Sequence, residues 1–195
     1  MKPIDILREF YDPASRTFAL LLAHGAAVAA KAIAIAKQLP ALNLDVPFIE
    51  EAALLHDIGI FLTDTPALGC TGVHPYVCHG YLGRELLEKK GLYRHALVCE
   101  RHVGLGISEA DIDRQKLPLP KRDMRPVSIE EEIICYADKF FSKSDTLIGK
   151  EKSISDILTE VAPHGRDKTD RFLSWVDRFG NPTILNTSMG EEPDA

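Results

Sequence analysis

The sequence predicts an all-α protein, and three observations carry that prediction. Long runs rich in Ala, Leu and Lys pass without proline, capping residues or Pro and Gly punctuate their ends, and no alternating apolar–polar stretch of useful length occurs. The first run extends from about Ser15 to Gln38, where Pro40 stops it. Asp45 and Pro47 open a second helix, because proline suits a first turn in which its missing N–H is not needed. That helix passes through Phe48, Ala52, Ala53 and Leu55 to His56, with Gly59 just beyond its end.

Two glycines and a proline between Thr63 and Gly72 predict a loop. Pro75 starts a third helix to about Lys90, with Gly91 as its stop, and Leu92 to Val103 forms a fourth, closed by Gly104 and Gly106. Ser108 with Asp111 resembles a capping box for one short turn. Lys116 to Pro126, with three prolines and five charged residues, predicts an exposed loop. Ser128 and Glu131 form a capping box for a helix through Ile133, Ile134, Ala137 and Phe141. Two weaker helices follow, near Ser153 to Val161 and Arg166 to Phe179, and the polar tail from Asn181 to Ala195 is expected to be mobile. The expectation is a single domain over residues 1–180, with its core at about 18–145, and no internal repeat.

Composition narrows the class. The 195 residues are 45% hydrophobic and 27% charged, ordinary for a globular protein. A net charge of −6 argues against a surface built to hold a nucleic-acid backbone, although a metal site can reverse the field locally. Cys70, Cys78, Cys99 and Cys135 have no CxxC spacing and read as reduced, buried thiols. The N-terminal segment lacks the apolar core of a signal peptide, and the apolar stretch Phe18 to Ala36 is interrupted by His24 and Lys31, as in a buried helix rather than a membrane span. A cytoplasmic protein without membrane association is expected.

Histidine carries the chemical signal. Five of the seven histidines, His56, His74, His79, His95 and His102, fall in one stretch. His56 adjoins Asp57 at the end of an apolar helix, where an ionisable pair is expensive to bury without compensation. A divalent cation compensates it, because neutral imidazole and carboxylate are good ligands. Alone, the pair is equally consistent with a carboxylate that hydrogen-bonds a buried histidine. His24, with Leu20, Leu21, Ala27 and Val28 around it at helical spacing, lies on or beside an apolar face. Asp138 is likewise embedded in an apolar run from Ile133. Three apolar helices thus each present metal-type ligands to the interior, which points to a shared partner.

The order His24, His56-Asp57, Asp138 resembles the HD superfamily of metal-dependent phosphohydrolases, an all-α helical bundle, and His56-Asp57-Ile58-Gly59 matches its HDIG form. The resemblance covers about residues 18–145 and is strongest to small stand-alone HDIG proteins, which carry two more histidines before the last Asp; His79 and His102 occupy those places. It implies that His24, His56, Asp57 and Asp138 hold a first divalent metal ion and His79 and His102 a second. Asp57 would bridge the two, the metals being iron, manganese or another transition metal. It further implies hydrolysis of a small phosphomonoester or phosphodiester, a nucleotide being favoured, by metal-activated hydroxide at Asp57. The same six ligands serve HD-fold di-iron oxygenases, and a non-catalytic metal-binding regulatory module is a third possibility.

Ile60 departs from the lysine that often follows this HDIG glycine, and no GYP signature is present, which argues against a cyclic dinucleotide substrate. His74, in the loop before Pro75, and Arg101, beside His102, are candidates for substrate phosphate. A solvent-facing His74 and an Arg101 paired to an acid are the plain alternatives. His95, seven residues before His102, is expected at or near the surface, and Arg122 with Asp123 forms a charged turn of unassigned role. Cys78 and Cys99, though close to histidines, lack a partner cysteine at ligand spacing and are expected to pack.

Overall fold

The computed structural model describes residues 2–143 and 149–182. Positions 144 and 145 of the expected core and 183–195 of the tail expected to be mobile lie outside these. Among the described residues the chain folds into nine α-helices: α1 (Pro3–Arg8), α2 (Arg16–Gln38), α3 (Val46–Leu55), α4 (His79–Lys89), α5 (Tyr93–Arg101), α6 (Glu109–Gln115), α7 (Ile129–Asp138), α8 (Ile154–Val161) and α9 (Arg166–Phe179). The fold class is all-α. Among the described residues, strands are confined to the pair β1 (Asp64–Thr65) and β2 (Cys70–Thr71), joined antiparallel inside the expected loop.

The long helix α2 begins where Ser15 accepts a hydrogen bond from the Phe18 amide. By length and composition α2 could cross a membrane. Here it is the central helix, packed on α3 and α7. Gly25 permits this approach, because a Cβ there would meet the Leu54 backbone at 3.2 Å. Lys31, fully buried on α2, directs its ammonium to Glu151 at 2.5 Å, to Asn181 and to the Pro182 carbonyl at 2.9 Å, over the Phe140 ring. A buried cation paired in this way ties the start of the expected tail to the core.

Two apolar clusters fill the interior. One unites α2, α3, α7, α8 and α9 around Ile35, Ile49, Tyr136, Phe172 and Trp175. The other joins α1, α2, the end of α3, α4 and α5 with the 3₁₀ turn Ile58–Leu62, around Ile6, Leu7, Leu55, Ile58, Ile60 and Leu87. Leu21 belongs to the second cluster and Val28 to the first, so His24 sits at the seam between them. Ile60 is a fully buried core residue.

The structure departs from the sequence reading in several places. Helix α1 was not anticipated; it is six residues long, and its signal is the buried pair Ile6 and Leu7. Pro75 precedes a 3₁₀ turn, Tyr76–Cys78, and the α-helix starts only at His79. The segment at Ser108 is a seven-residue helix with a complete capping box rather than a single turn. The box at Ser128 is only half formed: Ser128 accepts from the Glu131 amide, but the Glu131 carboxylate turns to the Val127 amide and to Arg101. Helix α7 ends at Asp138, short of Phe141, and the segment 116–126 is not wholly exposed, because Met124 is buried and pairs with Ile107.

Candidate metal centre

Six elements deliver one polar cluster. His24 comes from the middle of α2, His56 caps the C-terminus of α3, Asp57 opens the 3₁₀ turn, and His79 is the first residue of α4. His102 caps the C-terminus of α5, and Asp138 is the last residue of α7. All six are at most 6% exposed. The helix ends explain the local geometry. Final-turn carbonyls lack intrahelical partners, and the imidazoles supply them. Nδ1 of His56 donates to the Ala53 carbonyl at 2.6 Å and Nδ1 of His102 to the Cys99 carbonyl at 2.7 Å. His79 repeats the pattern on the Tyr76 carbonyl of the 3₁₀ turn, at 2.6 Å. A carbonyl can only accept, so the hydrogen of each neutral ring sits on Nδ1 and Nε2 is left with a lone pair.

Those lone pairs converge on Asp57. Its Oδ2 lies 3.1 Å from His56 Nε2 and 3.4 Å from His24 Nε2, while its Oδ1 lies 3.4 Å from both His79 Nε2 and His102 Nε2. Asp138 Oδ1 completes the first group, 3.0 Å from His24 Nε2 and 3.4 Å from His56 Nε2. His79 and His102 face each other, Nε2 to Nε2, at 3.1 Å. Acceptors gathered at such distances repel unless a cation lies among them. Asp57 Oδ2 has the Lys143 ammonium at 2.9 Å, but Asp57 Oδ1 and His24 Nδ1 are buried without a hydrogen-bond partner. Buried carboxylate oxygens left so are rare in native proteins. The donor set of imidazole and carboxylate fits a divalent transition metal, and two such groups, His24–His56–Asp138 and His56–Asp57–His102, are close enough to hold one.

Electrostatics prepare the same ligands. Burial lowers the His24 pKa to about 4 and the His79 pKa to about 3, and burial also lowers that of His102, so these rings are neutral near pH 7. Burial would raise the Asp57 pKa, but the charges of His56 and Lys143 hold it well below the usual carboxylate range. Asp138 is depressed likewise, burial being outweighed by Lys139 and Lys143. His56 is the exception: the negative charge of Asp57 outweighs burial and pushes its pKa up to about 9, so a metal must displace that proton.

Other sequence candidates lie apart from this cluster. Nη1 of Arg101 holds Glu131 in two contacts, at 2.9 and 3.0 Å. The backbone of His74 bridges to Thr63, and its half-buried side chain is not among the ligand groups. His95 contacts Glu51 at 3.2 Å and packs edge-on to Phe48. The four cysteines are free and buried, and Cys99 donates to the His56 carbonyl at 2.9 Å. Arg122 and Arg84 both reach the buried carboxylate of Glu100, each at 2.5 Å, tying α4 and α5 together beside His79 and His102.

Three residues near the centre escaped sequence reasoning. Lys143 places Nζ 2.9 Å from Asp57 Oδ2 and 3.8 Å from Asp138 Oδ1. Tyr76 hydrogen-bonds Lys143 and packs its ring against His79, centroids 4.6 Å apart. Lys139 holds Asp138 Oδ2 at 2.7 Å. Their signal in the sequence was only proximity to ligands, since lysines at a helix end usually face water.

The sequence matches the HD domain family over residues 21–142. The chain belongs to that family. It is 31% identical over 175 residues, 89% of this chain and 44% of the relative, to a tRNA (cytidine(56)-2'-O)-methyltransferase of Thermoplasma volcanium. A protein of the same name from Picrophilus torridus is 34% identical over 124 residues, 63% of this chain and 32% of the relative. An uncharacterized protein of Methanocaldococcus jannaschii is 35% identical over 97 residues, 49% of this chain and 50% of the relative. The chain thus spans half or less of the length of each of these relatives. No solved structure matches it.

Proposed function

We propose that the protein is a phosphohydrolase dependent on two divalent metal ions, iron or manganese being the first candidates, that cleaves a small phosphoester. The single observation that supports this reading is Asp57, whose two oxygens face two separate histidine groups as a bridging carboxylate does. Bound there, two cations would activate water at neutral pH and offset charge on phosphoryl oxygens. The protein's own part is to hold the ligands in place. Three Nδ1–H···O=C bonds fix the tautomers, Asp57 and Asp138 stay ionised, and the surrounding apolar clusters keep bulk water away. Lys143, beside Asp57, and Tyr76, its hydrogen-bond partner, are the groups positioned to meet a substrate phosphoryl oxygen.

Methyl transfer is not carried over from the relatives. Their name describes chains of which more than half lies outside the match, and what they share with this chain is the matched region. A nucleotide substrate fits the company of an RNA-directed enzyme. The buried, unpaired thiols suit a reducing compartment, in keeping with a cytoplasmic protein.

Elemental analysis of the purified protein, followed by assays with phosphoesters and nucleotides in added Mn²⁺ or Fe²⁺, tests the proposal. The expected result is about two metals per chain and turnover that Asp57→Ala lowers by more than about a hundredfold, since loss of even an outer partner of a ligand costs 10–100-fold. Absence of metal, or Asp57→Ala activity equal to wild type, would sink it. Oxygen consumption with an alcohol substrate would point instead to oxygenase chemistry.

A further inference from the structure

The thiol of Cys99 meets the chain on both sides of Asp57. Cys99 is fully buried on α5, and its Sγ donates to the His56 carbonyl at 2.9 Å, with the Leu55 carbonyl at 3.4 Å. The Ile58 amide faces the same sulfur. Gly83 of α4 leaves the space for it, because a Cβ there would lie 2.5 Å from Sγ. The sulfur thus fills the junction of α3, α4, α5 and the 3₁₀ turn that Asp57 opens.

The same residue reaches the second histidine group through its backbone. The Cys99 carbonyl accepts from Nδ1 of His102 at 2.7 Å. One residue therefore touches the peptide groups that flank Asp57 and the imidazole that faces Asp57 Oδ1. Packing alone does not call for a thiol here. An alanine would leave the His56 carbonyl, at the end of α3 where intrahelical donors run out, without this S–H. Cys135 makes a looser counterpart, its Sγ 3.4 Å from the His102 carbonyl. Cys70, in the same apolar cluster as Cys99, is directed instead at the Leu68 carbonyl, 3.9 Å away.

We infer that Cys99 is a positioning residue for the metal centre, its thiol holding the 3₁₀ turn so that Asp57 stands between the two histidine groups. The inference rests on the two-metal reading and adds to it a residue that sets the bridge without ligating. A thiol is a weak donor, so the bond matters less for overall stability than for where the Asp57 oxygens lie.

The test compares wild type with Cys99→Ala, Cys99→Ser and the control Cys70→Ala in two measurements. Calorimetry gives the affinity of the metal-free protein for Mn²⁺. Amide hydrogen exchange without metal follows Ile60, whose N–H is bonded to the Asp57 carbonyl at 3.0 Å and so reports whether the turn stays closed. Cys99→Ala is expected to weaken Mn²⁺ binding by about tenfold, the lower end of the range for groups that orient ligands. Ile60 exchange should quicken by a similar factor. Cys99→Ser keeps a donor and should restore most of both, and Cys70→Ala should change neither. Unchanged Ile60 exchange in Cys99→Ala, equal losses in Cys70→Ala, or no recovery in Cys99→Ser overturns the inference. Faster exchange with unchanged Mn²⁺ affinity overturns it too, since the thiol would then serve stability alone. If wild type binds no Mn²⁺, the two-metal reading fails, and Ile60 exchange by itself judges the clamp. If Cys99→Ala does not fold, Cys99→Val, which fills the space without a donor, takes its place in both measurements.

Discussion

Lys143 Nζ lies 2.9 Å from Asp57 Oδ2 and 3.8 Å from Asp138 Oδ1, the two oxygens that also face His24 and His56. An ammonium there stands where the first cation would place its charge, and the two compete. Lys143→Met is expected to bind Mn²⁺ about tenfold more tightly, as removing a nearby like charge favours the incoming one. Competition against a chelator measures this. Weaker or unchanged affinity would show that the ammonium does not compete. Turnover should fall in the same variant, through a higher KM, if Lys143 moves onto the substrate phosphoryl group.

Glu100 is buried and is held by Arg84 at 2.5 Å and Arg122 at 2.5 Å. Glu100→Gln removes the counter-charge of Arg122 and one of the two carboxylates on Arg84, which keeps Glu88 at 2.7 Å. The cost is about 2 kcal/mol, less than for a fully buried pair because Arg122 is partly exposed. A lowered melting temperature is expected, together with a loss of affinity greater at the second metal position than at the first. Equal weakening at both positions would mean that the clamp does not act through His79 and His102.

Lys168 and Asp111 are both buried, 2.7 Å apart. Burial would raise the Asp111 pKa, but the hydrogen bonds from Lys168 and Ser108 hold it below the usual carboxylate value. A depressed folded pKa means that the unfolded chain binds the proton more readily. The stabilisation is therefore complete above about pH 4 and is lost as pH falls further. Denaturation curves should show wild type losing stability below that pH with a steeper slope than Asp111→Asn. At neutral pH the variant should be less stable by about 2 kcal/mol, since the buried ammonium loses its nearest carboxylate and keeps only the Gly106 carbonyl and Asp167 at 3.5 Å.

Gly59 approaches α4 more closely than any side chain would allow: a Cβ there would lie 2.2 Å from the His79 carbonyl oxygen and 2.5 Å from the Gly83 nitrogen. Gly59→Ala must push the 3₁₀ turn of Asp57 away from His79. A loss of several kcal/mol is expected, about 3 being typical of overpacking against backbone. Metal content of any folded fraction should fall from two toward one. A variant with wild-type stability and two metals would contradict the contact.

Much of this site was legible before the structure, for identifiable reasons. His24 and Asp138 stand out because polar groups inside apolar helical runs have few explanations. Ser15, Asp45 and Gly91 mark helix ends that fall within a residue or two of those expected. What stayed hidden depends on distance through space. Lys143 and Tyr76 touch the centre only because the turn after α7 and the turn before α4 meet. Glu131 was read as half of a capping box, yet Arg101, thirty residues earlier, takes its carboxylate. Arg122 looked like surface charge, and only the fold brings it to Glu100.

The imidazoles of His56, His79 and His102 are already fastened to backbone carbonyls by the same bonds that finish a helix or turn. Their orientation is thus set when the chain folds, and the entropy of ordering them is spent before any ion arrives. A protein built this way should keep its helices when stripped by a chelator and take metal back without refolding, unlike small domains whose folding waits for the ion. Loading then becomes a question of which ion the surroundings supply.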